Sequence, residues 1–495
     1  MASPMRVAES VANTEQYTDY GVNPYTDTRA DRLSTFAIDV DTASYAISRR
    51  KLVEGQLPDQ AAVRAEEFVN AFDYHYEAPT SGPFAVHMTG APSPYVKDHH
   101  LLRIGLQTKR PGVRSKRAHL VYLVDTSGSM HSADKLGLAK ESLRMLTEQL
   151  QPGDTVALCT YAGDTRIVLE PTGDRAKILA AIDELSAGGS TAMASGIDNA
   201  YALAGRTFEK GAINRVIVLS DGDANVGPTS HEEILRRIAQ YKERGITLST
   251  VGFGAGNYKD TMMEQLADKG DGNYTYIDSK QAAHKAFVQN LGAMLDVVAR
   301  DVKVQVEFDP QVVRTYRLIG YENRDVADKD FRNDKVDGGE VGAGHSVTAL
   351  YDVVLASDAQ RKSPATVRIR YQSPIVSGGA VQVAVDSVGA KTVDTTNKPA
   401  AGAKSVDGAS ELAFVMPASA LLNSFVDTPR NFQRAVAVAG FAETLRRSPY
   451  AGGMDITLGI AKRANDDSEE DRELLVLMEK AIALGAARAS LTIAR

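Results

Sequence analysis

The sequence predicts an α/β fold, in which a doubly wound, mostly parallel sheet over residues 112–298 is inserted in a β-rich domain with a helical carboxyl-terminal region. Three patterns predict it. Four apolar runs between residues 118 and 254 alternate with helical stretches, as in a parallel sheet covered on both faces. After residue 300 the hydrophobic period changes to two, which is typical of strands. From residue 409 the spacing becomes helical.

Changes in these patterns divide the chain. The strands at 84–108 are too few for a sheet of their own, so we expect them to pair with the β-rich domain. The predicted segments are an extended arm or linker at 1–34, an amino-terminal extension of two helices and then strands at 35–111, the α/β domain at 112–298, the β-rich domain at 299–385, a flexible linker or long loop at 386–408 and the helical region at 409–495.

Composition excludes several classes of function. The 56 basic and 63 acidic residues of this 495-residue chain give a net charge of -7, and no long basic run is present, so nucleic acid is not expected as a partner. The single cysteine, Cys159, excludes an internal disulfide and cysteine-rich metal sites, and its apolar strand predicts a buried thiol. No stretch reaches about 18 apolar residues, so no transmembrane segment is expected.

Small oxygen-bearing side chains occur in three loops of the α/β segment. Two of the loops directly follow apolar strands, and the carboxyl ends of such strands are where open α/β sheets bind ligands. Hard divalent cations prefer oxygen ligands, so Mg²⁺ is the expected ion, and Mn²⁺ also fits. The three loops are Asp125–Ser129, Gly188–Thr191 and Ser220–Asp223.

The D-x-S-x-S at Asp125–Ser129, the later loop threonine Thr191 and the S-D-G at Ser220–Gly222 resemble the metal-ion-dependent adhesion site of von Willebrand factor type A domains, whose fold is Rossmann-like. The resemblance implies that Ser127, Ser129 and Thr191 contact the metal directly, and that Asp125 and Asp221 act directly or through water. A carboxylate of the partner fills the remaining position. We expect Gly189, Ser190 and Asp223 at the rim of the site, and Thr126 occupies the variable position.

A wider resemblance covers the chain from about residue 30 to its end. Segments such as STFAIDVDTASYA, LIGYENR and LRRSPYAG are similar to a bacterial family of type A proteins with matching terminal extensions, often exported or lipid-anchored. It implies a place in the cell envelope, in the periplasm or at the outer membrane face, with a cytoplasmic location as the alternative. Residues 1–35 lack the apolar run of a signal peptide, so a lipid anchor is expected only if a signal was removed.

The predicted function is divalent-metal-dependent protein binding, in adhesion or interaction, with capture of an exposed Asp or Glu of a protein ligand. No enzyme activity is expected, because the sequence has no H-E-x-x-H, G-x-S-x-G or phosphate-loop motif and no paired general base near the cluster. The alternative is an intracellular scaffold or chaperone-like partner of an ATPase complex, in which the same cluster holds a subunit interface.

Other motifs have plainer interpretations. A lone D-x-S-x-S is also a helix cap. Asp221–Glu232 imitates an EF-hand but has Val226 where the turn requires glycine.

The acidic loop at 322–340 is interpreted as solvated, with calcium binding as the alternative. Ser132–Lys135 matches S-x-x-K without its companion motifs and is interpreted as a helix start. The adjacent His99 and His100 are interpreted as exposed loop residues rather than metal ligands.

Overall fold

A computed structural model describes the chain at residues 17–38, 41–112, 114, 116–190, 193–222, 231–254, 260–334, 336, 338–356, 362–373 and 408–486. Within these residues, two antiparallel sheets pack face to face, a mostly parallel sheet is covered by helices, and further helices follow at 430–483. The predicted α/β fold class is confirmed.

The amino-terminal part contributes to more than one layer of the molecule. Its elements are β1 Thr26–Asp27, β2 Leu33–Ala37, α1 Ala43–Val53, α2 Ala65–Asn70, β3 Phe84–Pro92 and β4 His99–Thr108.

The α/β domain has a six-stranded sheet in which β7 alone runs antiparallel to its neighbour, and the strand order is β10-β9-β8-β5-β6-β7. All eight residues of β5 are buried, because helices cover both faces of the sheet. The elements are β5 Ala118–Asp125, α3 Leu138–Glu148, β6 Thr155–Tyr161, β7 Thr165–Thr172, α4 Arg175–Asp183, α5 Met193–Arg206, β8 Ile213–Ser220, α6 His231–Glu243, β9 Thr247–Phe253, α7 Asp260–Lys269, β10 Tyr274–Ile277, α8 Lys280–His284 and α9 Leu291–Leu295.

The last third of the chain completes the β layers and then becomes helical. Its elements are β11 Val297–Phe308, β12 Val313–Ile319, β13 Val341–Gly342, β14 Ser346–Leu355, β15 Ala365–Gln372, β16 Ala409–Val415, α10 Arg430–Leu445, α11 Met454–Ala464 and α12 Glu469–Ala483.

Strands from both sides of the α/β domain share one antiparallel sheet, of order β1-β12-β14-β4-β3. Here β4 pairs with β14, with Ile104 opposite Ala349. The facing sheet has the order β13-β11-β15-β16, and β2 also pairs with β11. Buried side chains of both sheets, such as Val86 and Val367, belong to one apolar core. The residue limits given above for the domains stay predictions.

One local prediction was wrong. Residues 409–415 form a strand rather than the start of the helical region, because they pair with β15 and because Phe414 and Met416 fill the core between the sheets. The described part of the predicted extended arm or linker contacts the first antiparallel sheet, since β1 pairs with β12 and the side chain of Asn23 donates to the carbonyl of Leu318. The linker predicted at 386–408 lies, except for Gly408, outside the described residues.

The terminal regions contact the other layers closely. Ala43 and Ile47 of α1 pack into the same core as Val121 of the parallel sheet. Helices α2, α10, α11 and α12 share a core with Leu101 and Leu350 of the first antiparallel sheet. Among the described helices, none is both long and apolar enough to cross a membrane.

Candidate metal centre

The candidate metal centre lies at the ends of two neighbouring parallel strands. Strand β5 ends at Asp125 and β8 ends at Ser220, and the strands pair in parallel with Val124 opposite Leu219. Asp221 directly follows β8. Because parallel strands bring their carboxyl ends to the same edge of a sheet, two carboxylates far apart in the chain are brought to one edge. Both Asp125 and Asp221 are fully buried.

Local hydrogen bonds fix the Asp125 carboxylate. Its Oδ1 accepts the backbone N–H of Ser127 at 2.9 Å, and its Oδ2 accepts the hydroxyl of Ser220 at 2.9 Å. Burial raises the pKa of Asp125 to about 6, and the neighbouring charge of Asp221 adds to the rise, whereas hydrogen bonds from Ser127 oppose it. A cation at this edge would favour the ionised carboxylate.

The hydroxyl groups of Ser127 and Ser129 lie side by side, with their Oγ atoms 2.9 Å apart. This is a hydrogen-bond distance, and it also matches an octahedral Mg²⁺ site, where ligand distances of 2.0–2.1 Å place adjacent ligands about 2.9 Å apart. The donor set of two hydroxyls beside two carboxylates is hard and oxygen-only. The described residues therefore fit a small divalent cation.

The second predicted loop lies against the first. Gly188 N–H donates to the carbonyl of Thr126 at 2.7 Å, and Gly128 N–H donates to the carbonyl of Gly189 at 3.0 Å. Gly189 has a φ of +93°, and a Cβ there would lie 3.1 Å from the backbone nitrogen of Gly163, so a glycine is required. Ser190, the other predicted rim residue of this loop, is exposed.

Two predicted site residues, Thr191 and Asp223, lie outside the described residues, so their roles stay predictions. Among the residues that the structure describes, no group of three or more His, Cys, Asp or Glu side chains converges as a metal site. The fit of the centre therefore depends on hydroxyl ligands as much as on carboxylates.

Sequence reasoning did not predict Lys135 at this edge. Ser220 belongs to one of the three predicted oxygen-bearing loops, and its hydroxyl joins the two strand ends. The S-x-x-K pattern predicts only a helix start at Lys135, yet its Nζ donates to Asp221 Oδ2 at 2.9 Å. Ser220 was detectable as a hydroxyl at a strand end, whereas no local pattern links Lys135 to a carboxylate 86 residues away.

Other candidate residues take part in contacts elsewhere. His99 lies in β4 rather than in a loop, and its Nδ1 is 2.8 Å from Asp352 Oδ1. In the acidic loop, Asp328 accepts the hydroxyl of Thr35, and Arg324 forms an ion pair with Glu264 of α7. Cys159 is buried in β6, and this burial raises the pKa of its thiol to about 12.

Three family models match the chain. The von Willebrand factor type A domain matches residues 119–290, a von Willebrand factor model matches residues 11–103, and the C-terminal domain of the uncharacterized protein YfbK matches residues 293–484. These matches cover the α/β domain and the regions on both sides of it.

The chain is also similar in sequence to bacterial proteins. The uncharacterized protein YfbK of Escherichia coli (strain K12) is 42% identical over 361 residues, which cover 70% of this chain and 63% of that protein. A UPF0353 protein of Mycolicibacterium vanbaalenii is 31% identical over 150 residues, which cover 28% of this chain and 45% of that protein. The chain thus spans less than two thirds of the length of these relatives.

Solved structures of type A proteins are also similar. A von Willebrand factor type A protein from Catenulispora acidiphila is 17% identical, with a TM-score of 0.42, covering 83% of this chain and 91% of that one. The ArnB paralog VWA2 from Sulfolobus acidocaldarius is 14% identical, with a TM-score of 0.36, covering 82% of this chain and 100% of that one.

A type A domain suggests a role in protein interaction or adhesion, and such domains are generally interaction modules rather than enzymes. The resemblance noted in the sequence is confirmed: the chain is a homologue of the bacterial YfbK and UPF0353 proteins and joins a von Willebrand factor type A domain to a YfbK-type C-terminal domain.

Proposed function

We propose that this chain is a divalent-metal-dependent protein-binding protein, which captures a carboxylate of its partner through the centre at the ends of β5 and β8. One observation carries the proposal. The paired hydroxyls of Ser127 and Ser129 lie in the loop that follows Asp125, at the edge where Asp221 follows β8. The sequence motif and the geometry thus both support the proposal of a small site with oxygen ligands.

The residues have separate roles in this proposal. Ser127, Ser129 and Thr191 are the direct ligands, and Asp125 and Asp221 act directly or through water. Mg²⁺ is the proposed ion, and Mn²⁺ replaces it. When bound, the ion supplies positive charge at the edge of the sheet. Because the three direct ligands are neutral, the ion stays strongly positive and attracts an Asp or Glu of the partner.

The described rim fits access by a partner. Ser190 is exposed, and the contact of Gly189 with Gly128 keeps this loop beside the ligand serines. Asp223 is proposed as a further rim residue. Because Ser127, Asp125 and Asp221 are buried, a partner segment with a protruding carboxylate suits this edge better than a flat surface would.

We also propose a location in the cell envelope, with a lipid anchor if a signal precedes this chain. The proposal is supported by the family resemblance of the extensions rather than by the site. Fractionation of cells that express the full natural gene tests it. We expect the protein in the membrane or periplasmic fraction, and recovery in the cytosol would contradict this.

Affinity capture tests the binding function. The immobilised wild-type chain is exposed to an envelope extract once in magnesium and once in EDTA. The immobilised Asp125→Ala variant is exposed to the same extract in magnesium. We expect proteins captured by wild type in magnesium to be lost both in EDTA and with the variant. A captured protein is then tested as a purified partner, with its exposed acidic residues replaced in turn. Binding that survives both EDTA and Asp125→Ala would contradict the proposal.

A further inference from the structure

Lys135 places a positive charge against Asp221, a residue of the proposed metal centre. Its Nζ lies 2.9 Å from Asp221 Oδ2, and the side chains of Lys135 and Asp221 are 10% and 0% exposed. The residue belongs to a π-helical turn, Ala133–Gly137, which comes between the serine loop and α3. Short π-helical turns are rare and often occur at functional sites.

The backbone of the next strand provides a groove for the lysine stem. Gly254 directly follows β9 with a φ of +79°, and a Cβ at this position would overlap Cγ, Cδ and Cε of Lys135. The hydroxyl of Tyr276 donates to the carbonyl of Gly254 at 2.5 Å and fixes this backbone. The side chain of Lys135 therefore packs against the backbone at Gly254, and this packing directs its amine toward Asp221.

The ammonium group of Lys135 and a divalent ion would compete for the carboxylate of Asp221. The resemblance assigns Asp221 to the metal, directly or through water, but the described contact gives one of its oxygens to Lys135. A single and a double positive charge on the same carboxylate repel each other, and the repulsion is strong where water is largely excluded. Binding of the ion therefore favours withdrawal of the ammonium.

We propose that Lys135 is a built-in competitor of the divalent cation: it balances Asp221 in the metal-free protein and withdraws when the ion binds. This inference rests on the proposed function, because it requires that the edge binds a divalent cation. It implies that Lys135 raises the magnesium concentration needed to load the site. It also couples loading to movement of the turn that carries Lys135.

Magnesium titration by calorimetry gives the first test, with wild type, Lys135→Met and the control Lys140→Met. Lys140 also has a fixed amine, which donates to the carbonyls of Asp183 and Leu185 outside the centre. We expect Lys135→Met to bind magnesium at least about tenfold more tightly than wild type, and Lys140→Met to match wild type. Equal or weaker binding by Lys135→Met would overturn the inference, whereas absence of binding by wild type would overturn the proposed function itself.

A second test uses the unmodified chain and so does not depend on a variant that folds. The protein is treated briefly with an acetylating reagent, with magnesium or with EDTA, and the modified lysines are measured by peptide mass spectrometry. We expect acetylation of Lys135 to rise severalfold in magnesium, because its amine leaves Asp221, while that of Lys140 stays constant. This measurement uses a magnesium concentration at which calorimetry shows binding. If acetylation of Lys135 there is equal to or lower than in EDTA, the lysine keeps its position and the inference is wrong.

Discussion

The hydroxyl of Ser220 donates a 2.9 Å hydrogen bond to Asp125 Oδ2 and joins the ends of two adjacent parallel strands. Asp125 therefore occupies a fixed position before any ion binds, and its other oxygen holds the amide of Ser127. The first carboxylate of the candidate centre is thus fixed at the end of a strand, and it orients the loop that carries both proposed serine ligands.

Asp125→Asn should remove stabilisation by magnesium. A ligand that binds only the folded state at about a hundred times its dissociation constant adds about 2.7 kcal/mol of stability. We expect this gain in wild type, and we expect EDTA to reverse it, whereas the neutral amide of the variant should give no gain. Thermal melts with magnesium and with EDTA measure the difference. Asp183→Asn, which changes an exposed carboxylate paired with Arg144, is the control and should keep the gain.

Thr191→Ala should weaken partner binding more than magnesium binding. Thr191 is the proposed ligand from a separate loop, whereas Asp125, Ser127 and Ser129 form one local unit. Asp125→Ala should lose both kinds of binding, and replacing the acidic residue of the partner should resemble Thr191→Ala. Magnesium calorimetry of each variant, followed by partner binding at saturating metal, measures both effects. Equal loss of magnesium affinity in the two variants would contradict this division of roles.

Arg324→Met should destabilise the whole chain. Its guanidinium forms ion pairs with Asp41 of the amino-terminal extension and with Glu264 and Asp268 of α7, and its side chain is only 13% exposed. Removing one member of a largely buried ion-pair cluster costs about 3 kcal/mol. Urea unfolding measures this loss. The matched control is Arg332→Met, because Arg332 is 61% exposed and pairs with Glu411, so its loss should cost less than about 1 kcal/mol.

Stability should depend on pH through Glu66. Burial raises the pKa of Glu66 to about 7, and the charges of Glu322 and Glu67 add to the rise. Between its ordinary pKa near 4.5 and this value, the folded chain holds a proton that the unfolded chain has lost, so stability falls as pH rises. The free energy of unfolding of wild type, relative to Glu66→Gln, should fall by on the order of 3 kcal/mol from pH 4.5 to 7 and then stay level. A relative stability that is constant or rises over this window would contradict the assignment.

The placement of Asp125 and Asp221 at one edge of the sheet was predictable from the sequence. Apolar runs that end in Asp125 and Ser220 are visible without a structure, and parallel pairing alone brings them to one edge. Lys135 was not predictable in this way, because its contact with Asp221 depends on a turn geometry and on a groove at Gly254 that no spacing reveals.

Two strands, β16 and β1, were not predicted from the sequence, for a different reason. Residues 409–415 are apolar enough for either type of element, and their pairing with β15 decides the outcome. The two-residue strand β1 is too short to give a pattern at all, and it is fixed by its contact with β12. Long-range pairing, in both cases, outweighed local preference.

Locating a bound ion at the ends of β5 and β8 tests the proposed metal centre directly. Crystals of the chain grown with Mn²⁺ are measured for anomalous diffraction above and below the manganese absorption edge. We expect one peak within coordination distance of Ser127 Oγ and Ser129 Oγ, beside Asp125 and Asp221, and no such peak in the Asp125→Ala variant. If a wild-type crystal at several millimolar manganese shows no anomalous peak at this edge, the proposed metal centre is wrong.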